Sequence, residues 1–120
     1  MNWFVIACQL VIALGLLNVW LLRAQKATPY RGSDAKNMRE EFAAYGLPAW
    51  FMWAIGLLKV TLAVVLIAGL WFTSITRPAA AGLAMLMLGA VAMHLKVGDP
   101  LKKWLPATSL LILCLTVAFF

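Results

Sequence analysis

Four long apolar runs decide what this chain can fold into: Trp3 to Leu22, Ala49 to Phe72, Pro78 to Leu95, and a last one that begins between Pro100 and Pro106 and continues to Phe120. A helix that crosses a bilayer needs roughly 20 mainly apolar residues, and each run is of that order. The rest of the chain cannot supply a soluble surface. Of 120 residues, 65% are apolar and 12% charged, with a mean hydropathy of +0.95, whereas soluble domains run at about 45 to 50% apolar and 25% charged. The expectation is an all-α integral membrane four-helix bundle, with spans over residues 3–22, 49–72, 78–95 and 100–120 of a single transmembrane domain, 1–120. The first run lacks a basic n-region and outlasts the usual apolar core of a signal peptide, so it reads as a retained helix.

Punctuation between the runs supports this. Trp3, Trp20, Trp50, Trp53, Trp71 and Trp104 all fall near ends of spans, as an aromatic belt at two interfaces requires. Between the third and fourth spans, Gly98 is placed to end one helix while Asp99 caps the next and Pro100 takes its first position, giving a tight antiparallel hairpin. Pro106 is expected to kink the last span near its start.

Basic residues set the orientation. Arg23, Lys26, Arg31, Lys36 and Arg39 follow span one, and Lys96, Lys102 and Lys103 follow span three, while the opposite side offers only Arg77. The positive-inside rule then predicts both loops in the cytoplasm and both termini outside it. The net charge of +6 has the same source. It is suited to anionic lipid, and no nucleic-acid module accompanies it.

The long first loop contains turn residues Thr28 to Gly32, after which Ser33 is expected to cap an interfacial helix over residues 34–45, stopped by Gly46 and Pro48. Ala35, Met38, Phe42 and Tyr45 form an apolar stripe that would lie against the membrane surface, with Asp34, Lys36, Asn37, Arg39, Glu40 and Glu41 on the wet side. Such a helix is either a lid or a solvated connector.

Lys59 is the most constraining single residue. It lies near the middle of span two, where an ammonium costs about 2.5 to 3.5 kcal/mol even on the lenient insertion scale. Its helical neighbours Gly56 and Ala63 are small, so the charge belongs on a face that another helix approaches, directed into the bundle. With His94, Asn18 and Gln9 it forms a polar track from the loop side toward the midplane, to which Glu40 or Glu41 would add an acid if the loop helix dips inward. These six are the candidate ligand-binding residues. Lys59 would bind a carbonyl, a quinone oxygen or an anionic head group; the alternative is a Lys that hydrogen-bonds to carbonyls or an acid and only fixes helix register. His94 is either a proton entry point or an interfacial hydrogen-bonder. A single His and two Cys, with no Cys-x-x-Cys, exclude Cys/His zinc sites, bis-His haem and the usual dithiol motif. No metal is expected, and Cys8 and Cys114 read as buried free thiols.

The stretch Met87-Leu88-Gly89-Ala90-Val91-Ala92-Met93-His94-Leu95-Lys96, followed by Gly98-Asp99-Pro100, resembles the third-helix signature of DoxX-like proteins. So does Tyr45-Gly46-Leu47-Pro48 leading into Gly56-Leu57-Leu58-Lys59 and then Leu66-Ile67-Ala68-Gly69-Leu70. The resemblance runs from the loop helix nearly to the end of the chain. Many relatives carry an acid where this chain has Lys59, so no acid-dependent role transfers. The family includes a membrane subunit of a thiosulfate:quinone oxidoreductase, members tied to membrane redox complexes, and a relative that assists receptor assembly. What it implies is therefore broad. One reading is a module of the bacterial inner membrane, associated with quinone-linked or other redox chemistry and a membrane redox subunit, binding a small apolar ligand beside Lys59. The other is an assembly or interaction protein. An intramembrane enzyme acting on lipid would lack an obvious second catalytic group, and whether any reaction is catalysed stays open. No covalently bound cofactor is expected; a quinone or lipid is the expected occupant. The limited internal volume of 120 residues suggests a homo-oligomer.

Overall fold

The computed structural model describes residues 2–26 and 28–120. Helix α1, Trp3–Leu17, starts where the Asn2 side chain accepts from the amides of Phe4 and Val5 and passes at Asn18–Leu22 into a turn of π-helix. The short α2, Met38–Ala44, lies in the first loop. Three long helices follow: α3, Ala49–Ala68, α4, Thr76–Lys96, and α5, Leu101–Phe119. Among the described residues there is no strand. Among the described residues four helices are long and apolar enough to cross a membrane, over Trp3–Leu22, Ala49–Ala68, Thr73–Lys96 and Leu101–Phe119.

The four form a ring in which α1 and α4 each pack on both α3 and α5. Their inner faces carry Ile12, Ala13, Leu16, Ala63, Leu66, Ala80, Leu83, Cys114 and Val117, all nearly or wholly sealed. The alanines allow backbones to approach closely, which is how helices associate when lipid is as apolar as their own side chains. Outward stand Leu57, Val64, Met85, Leu88, Ile112 and Phe119. A helix that is apolar all round is a buried or a membrane helix, and the long axis of 43 Å matches a bilayer with its head groups, about 40 to 45 Å.

At the α4–α5 hairpin, Gly98 takes φ +72 and the chain reverses, as expected. Asp99 does not cap α5: that position belongs to Pro100, and the Asp99 carboxylate is used elsewhere. Helix α5 runs through Pro106 without ending there.

The loop helix differs from expectation in start and in seat. Ser33 sits at φ 53 and caps nothing; the helix begins at Met38, where Asn37 accepts from the Glu40 amide at 2.9 Å and donates to the Glu40 carboxylate at 3.0 Å, a reciprocal cap. The stripe Met38, Phe42 and Tyr45 is buried by protein, not by lipid. Met38 and Phe42 cluster with Trp20, Phe51 and Met52, so α2 roofs one end of the bundle. Trp20 also leaves the expected belt. Its ring lies so close to Gly56 that a Cβ there would come within 2.6 Å of it, and only glycine leaves room for the indole inside.

Candidate functional site

Beneath α2 the helices line a cavity of about 570 Å³, within the range of small-ligand sites. Its wall is mainly apolar, from Leu16, Phe42, Phe51, Ile55, Met87 and Leu110 among others. Lys59, one turn beyond Ile55 on the inner face of α3, supplies the deep cationic group. It is 7% exposed, and its Nζ stands 5.5 Å from the centroid of the Trp20 ring. It makes no hydrogen bond or ion pair with a described residue. A desolvated cation–π contact is worth about 2 kcal/mol, whereas removing an ammonium from water costs several. The indole alone does not balance the charge.

The loop end of the cavity is polar and densely hydrogen-bonded. The Arg31 guanidinium, 5% exposed, donates to Glu41 Oε2 at 2.9 Å and to the carbonyls of Arg23 and Lys26 at 2.6 and 3.1 Å. Glu41 Oε1 accepts from the Gly32 amide at 3.1 Å and from the Tyr45 hydroxyl at 2.7 Å. Burial, and then the Glu41 carboxylate beside it, push the Tyr45 hydroxyl well above the ordinary phenol range. His94 Nδ1 lies 2.8 Å from Asp99 Oδ2, within hydrogen-bond distance. His94 Nε2 stands 3.4 Å from the Tyr45 oxygen and 3.7 Å from Glu41 Oε1. Asp99 Oδ1 also accepts from the Ser33 amide at 2.8 Å. Lys96 donates to the Tyr45 carbonyl at 2.8 Å and Lys103 to that of Ser33, so the α4–α5 hairpin holds the loop by its backbone.

Four of the six candidates, Lys59, His94, Glu41 and Asn18, line this one cavity. Asn18 accepts from Arg23 Nε at 3.3 Å. Glu40 is exposed and serves the α2 cap. Gln9 lies outside the cavity and donates to the Leu66 carbonyl at 3.2 Å, tying α1 to α3. Sequence reasoning missed Arg31, Tyr45 and Asp99 as polar partners, having read them as an orientation charge, part of an apolar stripe and a helix cap. The four-residue spacing of Glu41 and Tyr45, which puts them on one face of a helix, was the available signal. Cys8 and Cys114 are buried and unpaired. Among the described residues no three His, Cys, Asp or Glu are grouped to hold a metal ion.

Fold and site define a multi-pass helical membrane protein with a roofed internal cavity. The DoxX-like family model matches residues 12–119, and the chain belongs to that family. No curated protein and no solved structure matches it.

Proposed function

We propose that the protein is a membrane binding module whose cavity takes a small amphiphile, with an apolar body against the α3, α4 and α5 walls and an acceptor or anionic head against Lys59. The observation that carries this is the buried ammonium with no protein partner at the wall of a 570 Å³ apolar space. A quinone fits the description, since its carbonyl oxygens accept from an ammonium while its ring and tail are apolar; so does an acidic lipid. Association with membrane redox chemistry, through a redox subunit or a second copy of the chain, belongs to this reading, as does a bacterial inner membrane with both termini outside. Cysteine labelling of Ala44 and Thr73 from either face, in a variant without Cys8 and Cys114, checks the orientation.

The decisive comparison is wild type against Lys59→Met. If the charge is kept for a ligand, the Met variant retains or raises its melting temperature, because an apolar side chain of similar length removes the cost of holding an unpaired ammonium out of water. It also loses one specific molecule from the lipids that copurify with wild type, as read by mass spectrometry. A destabilised variant with an unchanged lipid profile would defeat the ligand reading and favour an assembly or interaction protein.

A further inference from the structure

The proposed ligand needs a way in, and the two ends of the cavity are unlike its side. Toward the termini the space stops at Ala63, Leu66 and Leu83, none with any exposed surface. Toward the loop it runs beneath Tyr30 and Lys103, past Arg31, Glu41, Tyr45 and His94. Those groups already have partners, Arg31 and Tyr45 on Glu41 and His94 on Asp99. An apolar body arriving there would come from water, where it scarcely dissolves, and cross the most polar part of the wall.

The side is different. On the face of α4 that meets α3, Gly82 is tight against Leu62, since a Cβ there would lie 3.1 Å from it. Two turns on, at Gly89, a Cβ would meet nothing within 4 Å. The antiparallel partner moves in step, because Ile55 lies two turns from Leu62. Gly89 and Ile55 both line the cavity, and so does Met85, 76% exposed on the outer surface of α4. The cavity wall thus reaches the outside of the bundle at the α3–α4 seam. Gly89 is seven residues from the end of α4 at Lys96, about 10 Å along the helix, which is within the hydrocarbon depth of a bilayer.

We infer that the cavity is filled sideways from the bilayer, through the opening between α3 and α4 beside Gly89, and that its ligand is therefore a lipid-phase amphiphile rather than a water-soluble metabolite. The inference rests on the ligand reading above and specifies the phase from which the ligand comes. The arriving molecule passes its acceptor head along Ile55 to Lys59 and leaves its apolar part in or near the gap. Gly89 sets the aperture.

A diazirine-bearing fatty acid added to vesicles that already hold the protein tests this. After brief illumination, the label is assigned residue by residue within each peptide, on the cavity-lining Ile55 and Lys59 and on the outward Leu57 and Leu88. In wild type both groups are labelled. Because the space at Gly89 is open, Gly89→Trp is expected to fold with an unchanged melting curve, to lower the rate of cavity labelling by an order of magnitude or more, and to leave Leu57 labelled as before. Gly89→Ala, too small to close the gap, loads like wild type and keeps the test valid should the Trp variant fold poorly; Gly89→Leu then serves as the intermediate block. Undiminished cavity labelling in Gly89→Trp, or acceleration by loosening the roof with Glu41→Ala, overturns the side entry while leaving the ligand reading intact. Cavity-lining residues unlabelled even in wild type overturn both.

Discussion

At the terminal end of the bundle, Ile12, Ala63, Leu66 and Leu83 have no exposed surface, and the buried polar side chains beside them, Gln9 and Thr76, donate to the Leu66 and Gly69 carbonyls; at the loop end, the same helices spread around a cavity and carry Lys59, His94 and, through α2, Glu41. One half is held by close approach of small and aliphatic side chains, which in lipid draws on dispersion and packing rather than on release of water. The other half is held by charge-assisted hydrogen bonds that cross long stretches of sequence, such as Lys96 to the Tyr45 carbonyl. The difference teaches that stability and vacancy are divided along the bundle axis: the dry half fixes the helices so that the other half can hold space open.

Three substitutions press on that division. Glu41→Ala should have the largest effect, about 3 to 5 kcal/mol, because it strands the buried Arg31 guanidinium along with the Gly32 amide and the Tyr45 hydroxyl. Hydrogen exchange should rise over residues 28–47 and stay unchanged over α1 and α5. A rise that spreads through every helix would mean the two halves are one cooperative unit. Leu83→Ala should cost about 2 to 5 kcal/mol through the void it leaves, while protection of α2 in native-state exchange and copurification of the ligand remain as in wild type. Loss of the ligand in this variant would break the comparison.

The smallest effect is one of pH. The folded state keeps the Tyr45 proton to a higher pH than the unfolded chain does, so its contribution is complete below the ordinary phenol pKa of about 10 and is lost as pH rises beyond it. Stability should fall with pH above that point by up to about 1.4 kcal/mol per unit. Tyr45→Phe should remove that slope, measured as the difference between the two proteins' alkaline melting curves. Equal slopes would mean Tyr45 is not held against Glu41.

The spans were legible because length and hydropathy are local properties, and so was the inward aim of Lys59, which follows from Gly56 and Ala63 one turn on either side. Gly98 was legible for the same reason. The site was legible only in part. Nothing near Arg31 distinguishes it from Arg23 or Lys26, because what buries it is Glu41 on another element. Asp99 stands before Pro100, where a cap is the natural local reading, and only the folded hairpin brings it to His94. Trp20 read as a belt residue because its position near a span's end is a fact of sequence, while the groove at Gly56 is a fact of packing.

The π-helical turn at Asn18–Leu22 has a consequence for how this half of the protein came to differ from the other. Such a turn is an α-helix with one residue too many, and each residue rotates a helix by about 100°. Were Asn18 to Leu22 wound as a regular α-helix, the same residues would carry everything beyond them about that much further around the axis. The indole would lose its place at Gly56, and Arg23, whose carbonyl receives Arg31, would turn with it. The irregular turn thus acts as a phase shifter, letting a helix that is in register with its neighbours at one end present a different face at the other.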